Sequence, residues 1–468
     1  MTNENFHTTL ASSLRDLAGK QMNWVDNNTA IIIMHGIGNA LPLETVDTFS
    51  RGIIHCYRDV FGPAVTLEHV MLSKECKQQT WYDNVIRIKH ADSSYHIDVY
   101  EYYWADLAED KATWNDMNSW LRGVVRGAKI FYDRNAMFGK EYKDKSPFFD
   151  SDTGEFITWK YNFFLTTMSR LFMAVDITTD GLIKLLSFIP FLGGIAAKLL
   201  KSKLDSSLHN ITNVIGDVVV YNVTDPKSKF YSVRRAIRNG ALDALRYLIE
   251  KPDNPYFSME EEKELLKKNL IHRDAYREKL EDQSPAYPNV IVAGHSLGSQ
   301  VAYDAINSLN NMMNQGEISN YDRRGKCLWG KKSGICNQLK GFITFGSPLD
   351  KIIFFLRENV PYNQYLRQQL LDQFHSFKIH NPNKRNNEST NKNYVPLEPV
   401  LKSLFDDVQW RNYYDNKDYI SGGLDYYGML TNIDCRFKAG KMGFTHSNYW
   451  DCKDFYEDII FHFLQPQP

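Results

Sequence analysis

The sequence predicts an α/β fold, a mostly parallel central sheet with helices on both faces, and three observations carry that expectation. Apolar runs of strand length, Ala30-Ile31-Ile32-Ile33-Met34 and Val290-Ile291-Val292-Ala293, lack polar alternation, as strands covered on both faces do. Helical stretches alternate with these runs along the chain, which is the order that builds parallel sheets through crossover helices. Glycine-containing turns close several of the strands: His35-Gly36-Ile37-Gly38, Gly294-His295-Ser296-Leu297-Gly298 and Gly346-Ser347-Pro348. In sheets of this kind binding and chemistry gather at the carboxyl ends of the strands.

Taken in order, residues 1–28 read as a polar leader in which Leu10, Leu14 and Leu17 mark a short amphipathic helix. The strand at 30–34 is followed by a helix over 45–57 and by strands over 65–71 and 95–104. In the last of these, Ile97, Val99 and Tyr103 alternate with more polar residues, the pattern of a partly buried strand. A helix over 111–132 and a turn-rich stretch over 140–154 come next. Two apolar pieces follow, 161–175 and 181–200. The second has the length of a membrane span, but Lys184, Pro190, Gly193, Gly194 and Lys198 interrupt it. Three readings of 161–200 stand: a lid or cap helix pair, a hairpin lying in a membrane interface, and a true span. Residues 216–221 look strand-like, and helices are expected over 230–250 and 259–281. After Ser296 come a helix, a polar loop over 310–337, strands over 341–345 and 374–380, a polar loop over 381–393, a late strand over 407–414 and a terminal helix over 451–464. The expected organisation is therefore an N-terminal part of the core (1–104), a mostly helical insertion (105–285) and a C-terminal part of the core (286–468).

Composition sets limits. With 468 residues and 43% hydrophobic content the chain can bury a large core, and a formal net charge of −1 gives no electrostatic reason to expect nucleic acid. Six scattered cysteines form no zinc spacing. Cys327 and Cys336 flank a loop that a disulfide could close, but reduced thiols are expected, because residues 1–30 have no apolar signal core. The expected setting is cytoplasmic or peripheral to a membrane, with signal-independent export open.

The chemistry centres on Ser296. Strand, Gly-x-Ser-x-Gly and helix succeed one another, which is the context that turns this motif into a nucleophile elbow. A serine hydroxyl needs a base to take its proton, and the base needs a carboxylate to hold its tautomer. On such elbows the acid and then the histidine follow the serine. Four histidines follow: His375, His380, His446 and His462. The first two fall ahead of the best acid and the last belongs to the terminal helix, which leaves His446 as the expected base. Asp418, with Ile420 two residues on to anchor its loop, is the expected acid. Asp415, a turn former, and Asp350, after the next strand, are the alternatives. The amide of Leu297 and an amide of the Gly36–Ile37 stretch would supply the oxyanion donors. No phosphate loop, His-Glu-x-x-His motif or acidic metal cluster appears, so no metal or cofactor is expected.

Together the His35–Gly38 loop, Gly294-His295-Ser296-Leu297-Gly298-Ser299, Thr344-Phe345-Gly346-Ser347-Pro348, the Asp415/Asp418 loop and His446 resemble a serine lipase of the α/β-hydrolase superfamily. Gly216-Asp217-Val218-Val219-Val220-Tyr221 ahead of the elbow, with Tyr303-Asp304 behind it, is similar to intracellular phospholipases of the DDHD type. The resemblance implies an α/β-hydrolase fold, an acyl-serine intermediate and a lipid or lipid-like ester as substrate, with peripheral membrane contact. A thioesterase or amidase, or a hydrolase fold kept as a binding module, are the other readings of the same residues.

Overall fold

The computed structural model describes residues 6–37, 41–71, 84–108, 111–112, 116, 150, 152–153, 157, 159–160, 217–222, 227–250, 285–314, 338–350, 364, 366–367, 369–370, 404–406, 408–418, 420–424, 427–428, 430–437 and 445–466. The apolar pieces at 161–200, the expected helix at 259–281, the strand at 374–380 with His375 and His380, Gly38, and the Cys327/Cys336 loop all lie outside the described residues.

The described residues form a mixed, mostly parallel sheet with helices on both faces. Its strands are β1 (Phe6–Thr9), β2 (Thr29–Met34), β3 (Val65–Met71), β4 (Asn84–His90), β5 (His96–Tyr102), β6 (Asn289–His295), β7 (Leu339–Phe345), β8 (Gln409–Tyr414) and β9 (Leu430–Asp434). They stand in the order β1-β9-β8-β7-β6-β2-β5-β4-β3. Every pairing is parallel except those of β4 with β3 and with β5, where the chain turns back on itself at one edge.

The helices are α1 (Leu10–Asp16), α2 (Glu44–Phe61), α3 (Ala105–Ala108), α4 (Tyr231–Glu250), α5 (Gly298–Asn314) and α6 (Lys453–Phe463). Strand side chains alternate between faces, so one apolar run supplies two cores. Ile31 and Ile33 of β2 join Ile291, Ala293, Ile343 and Phe345 under α1, α2 and α6. Ala30, Ile32 and Met34 join Val290, Val292, Phe342 and Trp410 under α4 and α5. Burying a full Leu, Ile or Phe side chain contributes roughly 1.5–3 kcal/mol, so two continuous cores of this size hold the sheet between its helices.

Several expectations change. Residues 217–221 are helical, not a strand. Their β-branched run favours a strand locally, but Val218, Val219, Val220 and Tyr221 are all buried in the core beside α4, and tertiary packing overrides that preference. Strand β5 is buried along its whole length after His96, not partly. Its polar residues are compensated: Asp98 takes both arms of Arg87 at 2.7 Å, and Glu101 accepts the Leu43 N–H at 2.6 Å. Burial alone would raise the Asp98 carboxyl, but hydrogen bonds from Arg87, His96 and Tyr287 hold it at about 2. The polar leader contains an edge strand, β1, beside β9. Helix α4 packs on the core: Tyr102 Oη donates to the Ile237 carbonyl at 2.7 Å, and Ala241 and Leu245 are fully buried. Among the described residues, no helix is long and apolar enough to cross a membrane.

Candidate active site

Strands β2, β6, β7 and β8 are neighbours and run parallel, so the residues that follow them emerge side by side. Those residues are His35, Ser296, Gly346 and Asp415. The ladder continues one step past the strand ends, with Ser296 N–H donating to the Phe345 carbonyl at 3.1 Å and Gly346 N–H to the Tyr413 carbonyl at 3.1 Å.

Ser296 joins β6 to α5 at φ +52°, a left-handed backbone conformation that a serine adopts only under constraint. The constraint is visible in the glycines. A Cβ on Gly298 would land on the carbonyl oxygens of Met34 and His35, and a Cβ on Gly36 would stand 2.8 Å from the Ser296 Cβ. Glycine at these positions lets the turn and the loop after β2 close on each other. Ser296 is 2% exposed and its Oγ has no hydrogen-bond partner. Ser299, one turn on, donates to the Ser296 carbonyl and bonds Ser347 at 2.8 Å, tying the start of α5 to the chain after β7.

His446 comes from the loop before α6. Its Nδ1 lies 2.8 Å from Asp418 Oδ2, and Asp418 is fully buried. A carboxylate only accepts, so Nδ1 carries a hydrogen and donates it to Asp418. The other ring nitrogen, Nε2, is buried and has no partner. Asp418 is itself held: Oδ1 accepts the Ile420 N–H at 2.9 Å, and Oδ2 also accepts the Tyr449 hydroxyl at 3.3 Å. Ile420 is buried and pins this loop to the core.

The alternative acids are otherwise occupied. Asp415 accepts the Lys417 and Phe437 N–H groups, each at 2.7 Å, and so shapes the turn. Asp350 is buried beside Tyr427, whose phenol is pushed up by burial first and then by the charges of Tyr303 and Asp350. Between the three aspartates, Asp418 is the one bonded to the His446 ring.

The loop after β2 is fixed by a residue pair that the sequence does not announce. The His35 ring stacks on Trp104 at 4.8 Å, and its Nε2 accepts the Trp104 backbone N–H at 3.0 Å. Nδ1 therefore holds the hydrogen and donates to the Gly36 carbonyl at 2.8 Å. The Trp104 indole N–H closes the ring by donating to the His35 carbonyl at 3.1 Å. Burial pushes His35 down to about 4, so it stays neutral near pH 7. Clamping the Gly36 carbonyl sets the plane of the Gly36–Ile37 peptide and so the direction of the Ile37 N–H. Leu297 sits at the entry of α5, where the first amides have no partner within the helix. The Ile37 side chain is half-buried.

The residues missed in the sequence are Tyr449 and Trp104. Tyr449 stands three positions after His446, close enough to have been weighed as an acid-holding hydroxyl. Trp104 is remote in sequence from His35, and only the pairing of β2 with β5 brings them together. Among the described residues, no group of three or more His, Cys, Asp or Glu side chains could hold a metal ion.

Fold and site together define an α/β protein in which the buried Ser296 follows β6 and a buried Asp418–His446 pair lies beside the turn after β7. Compared with family models, curated proteins and solved structures, the chain matches none.

Proposed function

We propose that the chain is a serine hydrolase of the α/β-hydrolase type that cleaves carboxylic esters of lipids through an acyl-serine intermediate. The observation that supports it best is the buried Asp418–His446 pair beside the turn after β7, the strand end to which the Ser296 backbone is bonded. Asp418 holds one nitrogen of His446 at 2.8 Å, while the other nitrogen and the Oγ of the constrained Ser296 are bonded neither to each other nor to another group. Buried polar atoms left unpartnered cost roughly 1–3 kcal/mol each, and a general base and a nucleophile are groups for which that cost has a use.

In this reading Ser296 Oγ attacks the ester carbonyl carbon as His446 Nε2 takes its proton. The Leu297 and Ile37 amides donate to the oxyanion that forms. As the tetrahedral species collapses, His446 returns the proton to the leaving alcohol, and the acyl group stays on Ser296. Water, deprotonated by His446, then attacks the acyl-serine, and His446 hands that proton to the departing Ser296 Oγ as the acid is released. Asp418 stabilises the imidazolium throughout without taking its proton. The lipid character of the ester rests on the apolar sequence at 161–200, which would act as a lid over the site or contact the membrane surface.

Mass spectrometry of a mixed membrane-lipid extract, incubated with wild type and with Ser296→Ala, tests this reading. Free fatty acid and the matching deacylated lipid should accumulate with wild type alone. Turnover confined to thioesters or amides would move the substrate class, and identical products from both proteins would remove the reading.

A further inference from the structure

His295, the residue before the serine, has no part in the mechanism above, yet its half-buried ring packs against the His446 loop and fits beside the turns at Gly36 and Gly346. It lies 4.8 Å from the His446 ring, centre to centre, and its Nε2 stands 3.2 Å from the His446 carbonyl oxygen. A carbonyl can only accept, so His295 Nε2 carries a hydrogen and donates it. On its other side His295 Nδ1 would stand 3.2 Å from a Cβ at Gly36, and its Cδ2 3.3 Å from one at Gly346, so the ring fits between the loop after β2 and the turn after β7. Phe345 and Trp450 pack on it, each with ring centres 4.9 Å away.

We infer that His295 is a positioning residue that sets the loop of His446 relative to Ser296. The two reactive side chains come from segments 150 positions apart in sequence. Asp418 fixes the tautomer and tilt of the His446 ring, but it lies on the far side of that ring from Nε2. The His295 N–H grips the backbone that carries the ring, and it does so from the residue covalently joined to the nucleophile. The distance between base and nucleophile is thereby tied to one short path: Ser296, His295, the His446 carbonyl. This inference rests on the serine-hydrolase reading.

The test compares three proteins on a soluble chromogenic ester: wild type, His295→Gln and His295→Leu, with Ser296→Ala as the blank and thermal melting to establish folding. Glutamine places its amide nitrogen near the site of Nε2, whereas leucine fills the space without a donor. Leucine should lower kcat about 10- to 100-fold with KM within about twofold, the signature of misaligned reacting groups rather than lost binding. Glutamine should recover kcat to within about fivefold of wild type, since it restores the one hydrogen bond. If the leucine protein does not fold, His295→Asn takes its place, because its amide reaches only the position of Nδ1 and should be impaired where glutamine is not. Leucine at wild-type kcat, or glutamine falling as far as leucine, overturns the inference alone. Wild-type turnover no greater than that of Ser296→Ala overturns it together with the serine-hydrolase reading.

Discussion

Two buried polar groups adjoin the core layer that holds Tyr413, Tyr449 and Phe455, and they are finished differently. In the first, Arg411 of β8 meets Asp458 of α6 at 2.8 Å and Ser13 of α1 at 2.8 Å, while the Tyr413 hydroxyl donates to the same Asp458 at 2.6 Å. Its charges are closed on one another, and the cluster fastens the first helix of the chain to the last. The second, the Asp418–His446 pair together with Ser296 at the end of β6, is closed at the aspartate and open elsewhere, since Ser296 Oγ and His446 Nε2 are bonded neither to each other nor to another group. Burial without pairing is tolerated where a group has a task that a fixed partner would block. The closed cluster should therefore govern stability and the open one rate, and the contrast can be broken from either side.

The largest effect belongs to the open cluster. Asp418→Asn keeps the shape of the side chain but leaves the wrong tautomer at His446, and kcat should fall by about 10⁴-fold with little change in melting temperature. Asp415→Asn is the matched control: it weakens a turn held by two backbone N–H groups and should lower the melting temperature while sparing most of the rate. Steady-state kinetics beside thermal melts separate the two aspartates. In the closed cluster Arg411→Ala leaves Asp458 buried and uncompensated, and a urea titration should show a loss of about 3–5 kcal/mol.

Glu101 is an intermediate case. One of its oxygens accepts the Leu43 N–H, the other is buried without a partner, and burial above all pushes its carboxyl up to about 7. A carboxyl raised above its ordinary 4.5 on folding contributes stability below pH 4.5 that is lost as pH rises through about 7. Glu101→Gln, neutral at every pH, should remove that decline, which can reach about 1.4 kcal/mol per pH unit, as read from urea midpoints between the two values. The smallest effect expected is a gain. Ser296→Gly releases the left-handed backbone and should stabilise the fold by about 1 kcal/mol while abolishing turnover.

Much of this contrast was legible in the sequence wherever apolar periodicity was strong. Strands β2, β6 and β7 and helices α2 and α6 announce themselves by runs or stripes of Ile, Val and Phe. Strand β9 does not, because its centre is Asn432, a buried polar residue made tolerable by Asn412 at 2.9 Å and by the Leu424 N–H at 2.9 Å. Strand β1 is a polar edge of only four residues, and β4 carries Arg87 and Lys89 between two antiparallel neighbours. Residues 217–221 were misread because β-branched residues favour strands until a core decides otherwise. At the site, the order Ser296, Asp418, His446 and the anchoring of Asp418 by Ile420 could be read from spacing and turn chemistry. The clamp of His35 by Trp104 and the contact of His295 with His446 could not, since both depend on strand pairing and loop packing between residues distant in sequence.

The central claim, that the open cluster presents an activated serine, is tested most directly by a fluorophosphonate probe on folded wild type, Ser296→Ala and His446→Ala. The account predicts one modified residue, Ser296, in wild type, none in Ser296→Ala and greatly slowed labelling in His446→Ala. Folded wild type that takes no label, or label that survives Ser296→Ala, would contradict it.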